Sequence, residues 1–282
     1  MFVVIGAGTM GVGIAYVAAN AGYQVELVEV DPQRRVAGRA ELERLWAGAV
    51  ARGRLTDREA ADAGTRVGFA ETVTGGAEVV VEAVPERLDL KREVLAQAAA
   101  AGPGLLASNT SSIPISMLGE GLIGLHFFNP VWAMPLVEIV VSAGTPPAAV
   151  DAARAVAARL GKDPIVVRDQ PGFATSRLGV ALGLEAIRML EDGVAGAADI
   201  DKAMVLGYRH PVGPLELTDL VGLDVRLDIA RTLATAYGSR FAPPDLLVSL
   251  VEAGRLGRKT GHGFYRWVEG RRVSESDRPG SY

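Results

Sequence analysis

A strand-like run, Phe2-Val3-Val4-Ile5, leads straight into Gly6-Ala7-Gly8-Thr9-Met10-Gly11 and then into an apolar helical pattern that ends at Gly22. This order leaves few folds open. Gly6 permits a tight turn, Gly8 lets a ligand approach the backbone, and Gly11 lets helix and strand pack closely. A helix N-terminus behind such a loop offers unpaired amide groups and the positive end of its dipole to phosphate. A second strand begins at Val25, so residues 2–31 read as the opening βαβ unit of a Rossmann-like domain. Gly6, Gly8, Thr9, Met10 and Gly11 would surround a dinucleotide pyrophosphate.

Glu29 lies near the end of the second strand, about where an acid meets the adenosine ribose hydroxyls. A carboxylate there repels a 2′-phosphate, so NAD is expected rather than NADP. Asp31 competes for the same role, and Arg34 and Arg35 are the residues that would instead serve a 2′-phosphate.

Short apolar runs at residues 25–30, 78–84, 105–107, 123–127, 136–141 and 164–167 alternate with helical patterns at 41–54, 88–101 and 147–160. That alternation predicts a parallel, doubly wound α/β sheet wrapped by helices. The turn chemistry of Asp169-Gln170-Pro171-Gly172 places the boundary, giving domains 1–170 and 171–282. Beyond it, helical spacing at 174–190, 200–206, 216–237 and 245–253 predicts a mostly α second domain, with a polar tail after Trp267 expected to fray.

Composition excludes several classes. At 282 residues, 49% apolar and 22% charged, the chain is globular rather than disordered. A net charge of −4 without a basic run does not recommend nucleic acid as a partner. The absence of cysteine removes disulfides, thiolate metal sites and a cysteine nucleophile. No apolar stretch reaches the roughly 18 residues of a membrane span, and Met1 runs directly into a strand, so a soluble cytoplasmic protein is expected.

Leu125-His126-Phe127-Phe128-Asn129-Pro130 sets one of three histidines at a strand end, the region where open α/β sheets bind ligands. A lone histidine among apolar residues is more often a satisfied core residue. Glu138 alters that balance: it is the single carboxylate in Leu136-Val137-Glu138-Ile139-Val140-Val141, and a buried carboxylate needs a partner. The connection through Asn129 and Pro135 would bring it back beside His126; otherwise Glu138 faces water at a sheet edge. Ser108-Asn109-Thr110-Ser111-Ser112 follows another strand, with hydroxyls facing the same crevice or capping the next helix; Ser112 is read as a cap. His210 and His262 lack ligand spacing with carboxylates, so no metal is expected.

With these motifs the sequence resembles the L-3-hydroxyacyl-CoA dehydrogenase family, most closely its short bacterial 3-hydroxybutyryl-CoA dehydrogenase branch. The resemblance extends through Pro171-Gly172-Phe173, Gly213-Pro214-Leu215-Glu216-Leu217 and Lys259-Thr260-Gly261-His262-Gly263-Phe264-Tyr265. It implies that His126 takes the proton of a substrate 3-hydroxyl while hydride leaves C3 for NAD, that Glu138 orients His126 and stabilises its charged form, and that Ser111 hydrogen-bonds the reacting oxygen. It also implies that Glu86 and Lys91 meet the cofactor side of the site, that Asn129 contacts substrate, and that Arg52 and Arg54 lie near the CoA phosphates. Trp132, Met134 and Leu182 would shape the acyl pocket. The helical domain would dimerise. Ser176 stands where many members carry Asn, a shorter side chain offering one hydroxyl in place of an amide. Two other readings are a β-hydroxyacid dehydrogenase of the 6-phosphogluconate type, which relies on a helix lysine for which only Lys202 is placed, and a non-catalytic crystallin-like dinucleotide binder or a related sugar-acid dehydrogenase.

Overall fold

Four apolar residues, Phe2–Ile5, form β1, an inner strand of an eight-stranded sheet in the computed structural model of the chain, which describes residues 1–273. The chain forms two compact units, Met1–Phe173 and a second that begins at Ala174.

In the first unit β1 is followed by α1 (Thr9–Asn20), β2 (Val25–Val28), α2 (Pro32–Ala51), α3 (Asp57–Thr65), β3 (Val67–Ala70), β4 (Val79–Glu82), α4 (Leu88–Ala100) and β5 (Leu105–Ser108). Then come α5 (Ile115–Leu118), β6 (Ile123–Phe127), β7 (Leu136–Val141), α6 (Pro147–Arg159) and β8 (Asp163–Arg168). The strand order is β3-β2-β1-β4-β5-β6-β7-β8. The chain leaves β1 toward β2 and returns on its other side at β4, so a topological switch point opens at the C-terminal ends of β1 and β4. Helices cover both faces of the sheet. Phe2 and Val4 enter one apolar cluster with Ile14 and Leu42, while Val3, Ile5 and Val80 enter another with Ala98. Burial on both faces explains why these strands are continuously apolar instead of alternating.

The sheet departs from an all-parallel arrangement at β7, which pairs antiparallel with β6. Only residues 128–135 join the two strands, too few for the crossover that a parallel pair requires. β8 follows through α6 and runs parallel to β7.

Element boundaries differ from the sequence expectation where local caps override periodicity. α2 begins at Pro32, not at residue 41, because Asp31 accepts from the Gln33 amide at 2.8 Å and Pro32 occupies the first helical position. The unread helix α3 is opened by a reciprocal cap between Thr56 and Glu59, and β3 after it adds an edge strand.

The second unit contains α7 (Thr175–Glu191), α8 (Ala197–Tyr208), α9 (Pro214–Val221), α10 (Leu223–Tyr237) and α11 (Asp245–Glu252) around its own core of Leu184, Ile187, Leu215, Leu227 and Leu247. The pattern at 216–237 is two helices, not one, because Gly222 breaks it with φ +108°. Trp267–Val268 (β9) and Arg271–Arg272 (β10) pair as a small hairpin where fraying was expected; the remainder of the tail lies outside the described residues.

Two buried carboxylates give the glycine motifs of this unit a structural meaning. Asp201 accepts from the Leu215 and Glu216 amides, both at 2.8 Å, and from the Tyr265 hydroxyl at 2.7 Å. Asp219 accepts from the Phe264 and Tyr265 amides at 2.8 and 2.9 Å and from Trp267 Nε1 at 2.8 Å. A Cβ on Gly213 would sit 2.2 Å from Asp201, and one on Gly263 would sit 2.1 Å from Asp219 Oδ1, so only glycine fits either place. Asp219→Ala would leave three donors without a partner. It is expected to lower stability by about 3 kcal/mol or more, read as a fall in the urea midpoint.

Candidate active site

The glycine loop at the end of β1 is wedged between α1 and β4. Gly6 has φ +103°, and a Cβ there would meet the Ala83 carbonyl at 2.8 Å. A Cβ on Gly11 would lie 1.8 Å from the Gly6 carbonyl oxygen, whereas one on Gly8 meets nothing within 4 Å. Close packing therefore fixes the first and third glycines, and the middle one faces open space. No side chain caps α1, so its first-turn amides at Thr9 and Met10 keep their donors for an anion. These features fit a dinucleotide pyrophosphate.

Glu29 follows β2 directly. Its Oε2 accepts from the Ala7 amide and its Oε1 from the Asp31 amide, each at 3.1 Å, which fixes the carboxylate beside the loop. The rival residues are otherwise engaged. Asp31 caps α2, and Arg35 donates to the Glu29 carbonyl at 2.6 Å and to Glu71 at 2.8 Å. Arg34 is exposed beside Asp31.

His126 and Glu138 face each other in the antiparallel register of β6 and β7. His126 Nδ1 lies 2.7 Å from Glu138 Oε2, with Glu138 wholly buried and His126 nearly so. Glu138 thus belongs to the sheet interior, not to a wet edge. With Glu138 ionised its carboxylate only accepts, which assigns the proton to Nδ1 and leaves Nε2 as the free ring nitrogen. Phe128 and Phe173 pack on the imidazole at 4.5 and 5.7 Å between ring centres, holding its plane. Lys162 secures the connection between the two strands by donating to the Val131 and Met134 carbonyls. Burial lowers its pKa.

The loops after β4 and β5 are joined by a chain of charge that is buried at Glu82 and Lys91 and 34% exposed at the Glu86 side chain. Lys91 Nζ lies 2.7 Å from Glu82 Oε1, 3.2 Å from Glu86 Oε2 and 3.1 Å from the Val84 carbonyl. Lys91 therefore acts as a bracket inside the protein, its ammonium enclosed by three oxygens. Glu86 Oε1 accepts from the Thr110 hydroxyl at 2.6 Å, the Ser111 and Ser112 amides at 3.0 Å, and the Ser112 hydroxyl at 2.9 Å. Burial acts to raise the Glu86 pKa, but Lys91 and these donors outweigh it and leave the carboxyl below its usual range. Ser112 is thus no helix cap. That role falls to Asp169, which accepts from the Ile115 and Ser116 amides at 2.8 and 2.9 Å. Ser111 lies half-buried in the loop that Glu86 organises.

Glu82 and Asn109 were not singled out from sequence. Glu82 is a wholly buried acid that accepts from Ser108 Oγ at 2.6 Å as well as from Lys91. A lone acid closing Val79-Val80-Val81-Glu82 is the same signal that identified Glu138. Asn109 Oδ1 accepts from the Phe127 amide at 2.8 Å and latches the serine loop to the end of β6 beside His126.

Arg52 and Arg54 lie at the end of α2 and are exposed, apart from the residues above. With Tyr16, Asn20, Trp132 and Lys162 they line a groove of about 390 Å³ in the first unit. Trp132 meets Tyr16 edge-on across 6.1 Å. Asn129 lies just beyond the end of β6 and is exposed. Ser176 occupies the first turn of α7 and Leu182 its middle, both in the second unit.

Both parts of the chain match known proteins. Residues 2–170 match the 3-hydroxyacyl-CoA dehydrogenase NAD-binding domain, and residues 172–267 match the C-terminal domain of the same family. A 3-hydroxybutyryl-CoA dehydrogenase of Mycobacterium tuberculosis is 40% identical over 277 residues, covering 94% of this chain and 97% of the relative. A probable 3-hydroxybutyryl-CoA dehydrogenase of Bacillus subtilis is 38% identical over 94% of this chain and 96% of its own length. The crystal structure of the (S)-3-hydroxybutyryl-CoA dehydrogenase PaaH1 from Ralstonia eutropha superposes with a TM-score of 0.90 at 36% identity, covering 95% of this chain and 99% of that one. The glycine cradle, the acid after β2 and the two matching domain models together place the chain in the 3-hydroxyacyl-CoA dehydrogenase family.

Proposed function

We propose that the protein interconverts (S)-3-hydroxyacyl-CoA and 3-ketoacyl-CoA, with a short acyl chain such as 3-hydroxybutyryl, and that His126 is the base. The observation that carries this reading is the buried His126–Glu138 pair at the C-terminal end of the sheet, the same end as the glycine loop. Oxidising a secondary alcohol requires a base for the hydroxyl proton and a hydride acceptor over the carbon. NAD, when bound, supplies that acceptor. His126 Nε2 takes the hydroxyl proton, and Glu138 balances the imidazolium that results. The apolar rings of Phe128 and Phe173 exclude water from that proton. Ser111 donates to the oxygen as it becomes a carbonyl, and donates to the developing oxyanion in the reverse direction.

Glu29, fixed beside the loop by two backbone amides, supports a preference for NAD over NADP. Arg52 and Arg54 in the groove of the first unit suit the CoA phosphates, and Asn129 suits a polar group of the substrate. The family resemblance also carries Ser176 as a catalytic-site residue whose hydroxyl donates to the substrate or cofactor, and a homodimer through the helical second unit, which sedimentation would report.

The test is oxidation of NADH by acetoacetyl-CoA and by longer 3-ketoacyl-CoAs, repeated with NADPH. Turnover should be highest with short thioesters and NADH. No oxidation with any thioester would overturn the proposal.

A further inference from the structure

Glu82 has no part in the proton transfer just described, yet the protein buries it completely and surrounds it with donors. Lys91 Nζ at 2.7 Å, Ser108 Oγ at 2.6 Å and the Val84 amide at 2.6 Å all point at its carboxylate. To hold only Lys91, a single carboxylate would suffice, and Glu86 already stands 3.2 Å away. The structure instead supplies two acids for one base. Lys91 and Glu82 are both almost fully buried, Glu86 keeps 34% of its side chain exposed, and among the described residues no second cation joins them, so with both acids ionised the chain Glu82–Lys91–Glu86 holds one negative charge in excess.

Its position gives that charge a consequence. Glu82 ends β4 and Glu86 follows in the next loop, next to the switch point between β1 and β4. A dinucleotide lies across such a crevice with one nucleotide half on each side. The adenosine half belongs to the β2 side, where Glu29 stands, which leaves the β4 to β6 side, with the charge chain and His126, for the nicotinamide half.

A nicotinamide ring is cationic when oxidised and neutral when reduced. We infer that Glu82 is a positioning residue that holds Lys91 and Glu86 in place and, through the surplus negative charge, makes this crevice prefer the oxidised cofactor over the reduced one. The inference rests on the functional reading above and names an additional residue in it. In a crevice of low effective dielectric one charge is worth enough to shift a binding ratio by about tenfold.

The experiment is titration of the folded protein with NADH by fluorescence, followed by competition with NAD, for the unmutated chain and for Glu82→Gln. The expected result is a rise of about tenfold in the ratio of the NAD to the NADH dissociation constant. Ser108→Ala removes a hydrogen bond from Glu82 without removing charge, so it should leave the ratio unchanged even where both affinities weaken. Should Glu82→Gln not fold, Glu86→Gln removes the same unit of charge at the outer end of the chain and should move the ratio in the same direction. Equal changes in both affinities, or an unmoved ratio in the folded variants, would overturn the inference while leaving the functional reading intact. Failure of the unmutated chain to bind either cofactor would overturn both.

Discussion

His126→Gln is expected to lower kcat by about 10²- to 10⁴-fold, the range lost when a positioned general base is removed. The glutamine amide fills similar space and still bonds Glu138, so β6 and β7 should keep their register. What it lacks is a basic ring nitrogen to take up the hydroxyl proton. KM for the thioester should change far less than kcat, because the proton moves only in the reaction. Glu138→Gln should fall between the two proteins. Its amide oxygen still accepts from Nδ1 but no longer balances the charge on the ring, an interaction that matters most once the proton has been taken. Full activity in folded His126→Gln would remove it as the base. Near-native activity in Glu138→Gln would show that the carboxylate only orients the ring.

The second large effect separates two glycines three positions apart. Gly11→Ala places a Cβ 1.8 Å from the Gly6 carbonyl oxygen, a backbone atom that cannot move without displacing the loop or α1. Gly6 has little room to yield, because it is itself pressed against Ala83. This variant is expected to lose about 2 kcal/mol or more of stability together with cofactor affinity. Gly8→Ala meets nothing within 4 Å and its backbone conformation is open to any residue, so the free protein should melt as the unmutated one does. The added methyl instead occupies the space through which a pyrophosphate approaches the amides of α1. NADH affinity should fall by tenfold or more, an amount that about 1.4 kcal/mol of lost contact would produce. If both variants bound NADH as the unmutated protein does, the loop would not be the phosphate cradle. If both unfolded, the open face at Gly8 would be misread.

These two predictions draw on different levels of information. The glycine loop was legible in the sequence because its physics is local. A turn, a helix start and the backbone positions that tolerate no Cβ are set by residues within a few places of one another, so Gly6, Gly8 and Gly11 could be assigned in order along the chain. Caps are local too, and the two missed helix starts were written in it: Asp31-Pro32 opens α2, and Thr56 with Glu59 opens α3. The first opens on the polar residues Pro32-Gln33-Arg34-Arg35, so apolar spacing does not mark it, and Asp31 reads from sequence as a ribose ligand rather than a cap.

Glu138 stood between. Its isolation in an apolar strand announced a buried charge, but the identity of its partner depended on which way β7 runs. Residues 128–135 are too short for a crossover, and that turns the strand antiparallel and sets Glu138 opposite His126. Glu82 carried the same sequence signal, yet its partners Lys91 and Ser108 come from α4 and β5, and only the folded sheet shows that one acid serves both.

By itself, then, the sequence determined the dinucleotide cradle, the alternation of strands and helices through the first unit apart from α3 and β3, and an isolated acid in the apolar run of β7. Tertiary structure alone decided the reversal at β7, the replacement of Ser112 by Asp169 as the cap of α5, and the joining of Glu82, Lys91 and Glu86 into one charged chain. The physical reason is range. Backbone conformation and capping answer to neighbours along the chain, whereas a buried charge is tolerable only where distant segments bring a partner to it.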